Sequence, residues 1–175
     1  KTRRHQRRKI YNGVVICYNL RRSMNDFSSE TIKNPEIEKK PFRIIYIEDE
    51  KNVRDLIGSM LKGFAGVELV NSFPSAEEAK VYLLGLKKED LPDMIVSDNR
   101  LGPEKIKGIQ LAKDLKEQGY KIPFVLLTGD MEQFQSLQKE DLNRMGITRV
   151  VDKVEIREGL PSVIEEIRLS PSRIF

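Results

Sequence analysis

Apolar runs of strand length recur along this chain, and each is followed by a stretch whose apolar residues return at helical spacing. The first run, Phe42-Arg43-Ile44-Ile45-Tyr46-Ile47, is closed by Glu48 and Asp49. Beyond it Val53, Leu56, Ile57, Met60 and Leu61 recur as on one helix face, and Gly63 marks the end of that helix. Val67-Glu68-Leu69-Val70 predicts a second strand. Ser75, followed by Glu77 and Glu78, opens a second helix carrying Ala79, Val81, Tyr82 and Leu83. Pro92 precedes the third strand, Met94-Ile95-Val96-Ser97, which Asp98 closes. Ile109, Leu111, Ala112 and Leu115 mark a third helix ending near Gly119. Pro123 leads into Phe124-Val125-Leu126-Leu127, closed by Thr128. Residues 131–145 are more polar but compatible with a helix. Residues 148–151 predict a fifth strand, soon followed by Lys153, and residues 157–169 a last amphipathic helix.

Five strand–helix units predict an α/β fold with a central parallel sheet and helices on both faces. Right-handed crossovers make that the simplest topology. In a parallel sheet all strands point the same way, so Glu48, Asp49, Asp98, Thr128 and Lys153 gather at one edge. That edge is where open α/β folds bind ligands. Three carboxylates, a hydroxyl and an ammonium brought together there suit Mg²⁺ and phosphoryl chemistry.

Composition narrows the chemistry further. The 175 residues suffice for one domain with a real core. No apolar run approaches the roughly 18 residues of a membrane span, and a soluble, cytoplasmic protein is expected. The single cysteine, Cys17, cannot form an internal disulfide, which is compatible with a reducing compartment. The single histidine, His5, excludes a multi-histidine metal site. Oxygen ligands are the plentiful ones, and they point to Mg²⁺ or Ca²⁺ over zinc.

Charge is unevenly spread. Eight of the chain's 31 Lys/Arg lie in residues 1–23, which hold no acid; 23 remain against 27 Asp/Glu, a net of −4 for everything after. Residues 10–20 are apolar enough for a short strand or helix, interrupted by Asn12 and Asn19. Basic residues before a short apolar run suggest a secretory leader, but more arginines follow and no small-residue cleavage site is evident. Residues 1–40 are therefore expected to be a basic, disordered tail and linker, and residues 41–171 the folded domain. A basic arm attracted to nucleic acid or anionic membrane is the sharper reading of the tail.

Ile47-Glu48-Asp49-Glu50, Pro92 through Asp98, Pro123 through Gly129, and Lys153 occur in order, each at a strand end. On these motifs the segment from about residue 42 to residue 169 resembles a response-regulator receiver domain, the phosphoacceptor module of two-component signalling. The resemblance implies a flavodoxin-like, doubly wound five-stranded parallel sheet. It also implies that Asp98 is the phosphoacceptor, and that Glu48, Asp49, Asp98 and the backbone carbonyl of Arg100 hold Mg²⁺. Thr128 would donate to one phosphoryl oxygen and Lys153 would place its charge on another. Such a module is not an enzyme toward outside substrates. Its expected partners are a sensor histidine kinase or phosphotransfer protein and a downstream protein, with nucleic acid reached only through the basic tail.

Each residue also has a plain structural reading. Acids after a strand often mark a helix N-terminus, Asp98 and Thr128 could serve a turn or a cap, and a lone lysine is usually a solvated charge. The sequence also departs from the family. Val154 follows Lys153 where a cis-proline is common, so a trans bond is expected there. Val150 stands where an aromatic switch residue is usual. The loop after Asp98 is about two residues longer than the common pattern, and Arg100 and Asp130 are expected to pair across the pocket mouth. These departures leave a second reading, a degenerate receiver acting as a constitutive interaction module. A phosphatase of the haloacid-dehalogenase type is disfavoured because no second Asp follows Asp98 at two-residue spacing. Little chain follows the last helix, so output is expected through a partner.

Overall fold

Strand alternation explains most of what the chain builds. The computed structural model describes residues 40–102 and 107–169, and residues 8–11 and 14–17 as strand backbone only. The chain divides into two compact units, Lys1–Ile37 and Glu38–Phe175. In the first, β1 (Arg8–Tyr11) and β2 (Val14–Cys17) pair antiparallel, with Arg8 opposite Cys17 and Tyr11 opposite Val14. The expected tail and linker otherwise lie outside the described residues, as do loop residues 103–106 and everything after Leu169.

The second unit runs β3 (Phe42–Ile47), α1 (Lys51–Lys62), β4 (Val67–Phe73), α2 (Ala76–Leu84), β5 (Met94–Asp98), α3 (Gly108–Glu117), β6 (Phe124–Thr128), α4 (Lys139–Arg144), β7 (Arg149–Asp152) and α5 (Ile156–Leu169). The sheet order is β4-β3-β5-β6-β7, and every neighbouring pair is parallel. This is the doubly wound, flavodoxin-like order. Successive side chains of a strand point to opposite faces. Ile45, Ile47, Ile95, Phe124 and Leu126 therefore meet the residues of α2 and α3. Ile44, Tyr46, Val96, Val125 and Leu127 meet Ile57 and Leu61 of α1 and Leu160, Ile164 and Ile167 of α5. Burying one such Leu or Ile is worth about 1.5–3 kcal/mol.

Local signals fall where the sequence puts them at most ends. Gly63 follows α1, and Ser75 caps α2 by accepting the Glu78 N–H on its hydroxyl at 3.2 Å. Four details differ. Leu56 and Val81 face solvent, so the apolar stripes of α1 and α2 are narrower than their sequences suggest. β4 continues through Asn71 and Ser72 to Phe73, with a register shift opposite Ile44/Ile45 that carries Phe73 into the core. The stretch 131–145 is not one helix: a 3₁₀ turn, Glu132–Phe134, is anchored by buried Phe134. The helix restarts only at Lys139, because the Gln138 N–H turns to the Asp141 carboxylate at 3.1 Å.

Candidate functional site: an acidic pocket at the carboxyl ends of the strands

β3 and β5 are adjacent central strands, and their last turns of pleat bring Glu48 and Asp98 side by side. Both positions continue the alternation that puts Tyr46 and Val96 on the α1/α5 face. Carboxylate oxygens of Glu48, Asp49 and Asp98 lie within 4.8 Å of one another. Glu48 and Asp98 are buried and Asp49 is half-buried. Lys153, just past the end of β7, reaches back to both buried acids: its Nζ is 2.8 Å from Glu48 Oε2 and 3.0 Å from Asp98 Oδ2.

Three hard oxygen donors converging on one point suit a hard divalent cation such as Mg²⁺. Like charges so close resist joint ionisation without a compensating positive charge, and Lys153 supplies one. Burial pushes the Glu48 carboxyl above the usual carboxylate range, against the hydrogen bond from Lys153. Burial works against the Lys153 ammonium too, but its hydrogen bonds to Glu48 and Asp98 outweigh burial and raise its pKa.

Several residues that the sequence reading passed over hold this arrangement. The Tyr46 hydroxyl donates to Glu48 Oε2 at 3.1 Å. Arg54 of α1 donates to the main-chain carbonyls of Glu48 at 2.6 Å and Asp49 at 3.2 Å, pinning the acidic turn. Gly108 lies so close behind Asp98 that a Cβ there would sit 2.3 Å from the Asp98 carbonyl oxygen. The sequence signals were modest: a phenol in an otherwise aliphatic strand end, a base one turn into α1, and a glycine at the start of α3.

Thr128 ends β6 one register step beyond Asp98, whose partner there is Leu127. Its buried hydroxyl accepts the Asp130 N–H at 3.0 Å. It also donates to the Asp130 carbonyl at 3.4 Å, and only this second bond has to be exchanged for the hydroxyl to donate to a ligand. Arg100 is exposed at the pocket mouth, and its guanidinium lies 4.0 Å from where a side chain on Gly129 would begin. The expected Arg100–Asp130 ion pair is not formed; both side chains are exposed, where such a pair gains little. The Arg100 carbonyl remains assigned to the metal by resemblance alone.

The turn after Lys153 solves the missing proline differently. Val154, 87% exposed, has an N–H that a proline would lack, and Asp152 Oδ1 accepts it at 2.8 Å. No peptide bond among the described residues is cis. Val150 is partly buried against the α2/α3 core.

Fold and site together define a doubly wound α/β domain with an acidic pocket at a central strand end, flanked by a hydroxyl and a lysine from the neighbouring strands. The profile of the response regulator receiver domain matches residues 44–165, well over half of the chain, and the chain belongs to that family. It is a receiver domain of two-component signalling. Among solved structures it is similar to the RcsB response regulator of Salmonella typhimurium, at 19% identity and a TM-score of 0.59, covering 78% of this chain and 67% of that one. Full-length FixJ from B. japonicum is 25% identical with a TM-score of 0.60, covering 77% and 62%. A DNA-binding response regulator of the LuxR family from Staphylococcus aureus is 15% identical with a TM-score of 0.58, covering 72% and 98%. At such identities the likeness of RcsB and the S. aureus regulator is one of fold. The chain spans about two thirds or less of the RcsB and FixJ chains. No curated protein sequence matches it. Among the described residues no helix is long and apolar enough to cross a membrane.

Proposed function

We propose that this receiver accepts a phosphoryl group on Asp98 and that the aspartyl phosphate switches the binding of a partner protein. The observation that carries the reading is the convergence of Glu48, Asp49 and Asp98 with the Lys153 ammonium already on Asp98. A carboxylate oxygen of Asp98 attacks the phosphorus, the bond from phosphorus to the donor's leaving atom breaks, and the leaving group departs with that electron pair. Glu48, Asp49 and Asp98, with the Arg100 carbonyl, would hold Mg²⁺, which when bound would neutralise the carboxylates and stabilise charge on the phosphoryl oxygens. Lys153 moves its charge to one phosphoryl oxygen and Thr128 donates its hydroxyl to another.

The donor is a sensor histidine kinase or a phosphotransfer protein in the cytoplasm. The domain has no outside substrate; its chemistry is limited to gaining and losing its own phosphoryl group. RcsB has been solved in a complex with DNA; in this chain the eight-fold basic segment 1–23 is the part suited to nucleic acid, and such binding would weaken steeply with salt. The test is incubation with a small acyl phosphate, with and without Mg²⁺, comparing wild type with Asp98→Asn by intact mass. A Mg²⁺-dependent phosphoryl adduct lost in Asp98→Asn supports the reading. A protein that binds Mg²⁺ neither alone nor with donor, and takes no phosphoryl group from a kinase, is instead a constitutive interaction module.

A further inference from the structure

One oxygen of Glu48 serves two donors. Oε2 accepts from Lys153 Nζ at 2.8 Å and from the Tyr46 hydroxyl at 3.1 Å. Among the described residues Oε1 accepts only from the Glu50 N–H, at 3.4 Å. Tyr46 cannot drift from this role: its ring is wholly buried in the α1/α5 core. Burial, and then the neighbouring Glu48, push its phenol far above the ordinary tyrosine range, so it stays protonated and remains a donor.

Lys153 already donates to Glu48 and Asp98 together, and a lysine drawn toward a phosphoryl oxygen loosens its hold on Glu48. Glu48 is 2% exposed, and a buried carboxylate oxygen stripped of its donor is costly. We propose that Tyr46 is a positioning residue: its hydroxyl keeps Glu48 oriented and hydrogen-bonded when Lys153 leaves, and thereby sets both the ease of that release and the site's affinity for a divalent cation. Tyr46 touches no reacting atom and acts through Glu48 alone. The inference rests on the phosphoacceptor reading for the movement of Lys153, while the shared acceptor stands on geometry. The plainer alternative is a core tyrosine whose hydroxyl merely needed a partner.

The experiment has three readouts on the full chain. In cation-free protein, urea unfolding compares wild type, Tyr46→Phe, Lys153→Met and the double variant. Each single change leaves one donor on Oε2 and the double leaves none, so the folding constant should fall about tenfold further than the product of the single losses. Additive losses overturn the shared-acceptor claim. In Lys153→Met, where Tyr46 is intact, the phenolic proton of Tyr46 should stay protected from exchange and shift downfield as the remaining side-chain donor to Oε2; an unmoved resonance also overturns it. Calorimetric titration with Mg²⁺ should show about tenfold weaker binding in Tyr46→Phe, and that weakening should vanish in a Glu48→Gln background. Unchanged affinity, or equal weakening in Glu48→Gln, makes Tyr46 a structural residue only. A wild type that takes up no Mg²⁺ overturns the metal reading and the affinity half of the inference, while the unfolding cycle and the resonance still decide the shared acceptor.

Discussion

Lys153 donates to Glu48 at 2.8 Å across 105 positions of sequence, closing the sheet's carboxyl edge with a single ammonium. The same ammonium lies 3.0 Å from Asp98. The pocket thus carries its own positive charge in the absence of a cation.

Removing that charge should be felt most without metal. Lys153→Met leaves two buried carboxylates facing each other, and the loss should be about 1–3 kcal/mol in cation-free urea unfolding. Millimolar Mg²⁺ should recover part of it, because a cation bound only by the folded state stabilises that state. Equal losses with and without Mg²⁺ would show that Lys153 and the cation do not share the site.

Gly108 tests how tightly α3 is seated behind the acceptor. A Cβ there would fall 2.3 Å from the Asp98 carbonyl oxygen and 2.8 Å from Leu126 Cδ1. Backbone cannot yield as a side-chain tip can, so Gly108→Ala should cost about 3 kcal/mol or more. It should also slow phosphorylation of whatever fraction folds, by displacing Asp98. A variant as stable as wild type would contradict the close approach.

The Asp152–Val154 bond replaces a turn that proline would otherwise fix. Asp152→Ala should cost about 1 kcal/mol. It should also raise amide exchange at Val154 ahead of its neighbours. An unchanged exchange rate there would mean the turn is held by something else.

These cases also mark what the sequence could tell. Glu48, Asp49, Asp98 and Lys153 were legible because strand ends are easy to locate in a parallel sheet and polar residues there stand out. Tyr46 was hidden because a buried aromatic reads as core whatever its hydroxyl does. Leu56 and Val81 misled because a helix face four residues wide includes positions at its rim. The fourth helix was overextended because capping by Gln138 and Asp141 is a matter of side-chain geometry, which composition does not report. The turn at Val154 was unreadable for the same reason: its solution lies in a side chain two residues back.

Away from the pocket, Lys80 of α2 and Asp114 of α3 join at 2.6 Å. The Lys80 hydrogen bond, then that of Gln110, holds the Asp114 carboxyl below its ordinary value. A carboxyl whose pKa is depressed by folding adds stability above its unfolded pKa, about 3.9, and loses it as pH falls through the depressed value. Asp114→Asn should therefore cost about 0.5–1 kcal/mol at neutral pH. The gap from wild type should close in acid, and a gap that widens there would reverse the sign of the interaction.

Borohydride trapping reads the identity of the acceptor residue by residue. The full chain is treated with an acyl phosphate and Mg²⁺, reduced with borohydride, digested and sequenced by mass spectrometry. Reduction turns an aspartyl phosphate into homoserine, so homoserine is expected at position 98 and nowhere else, and absent when Mg²⁺ is withheld. Homoserine at another aspartate, or a phosphorylated protein with Asp98 untouched, would contradict it.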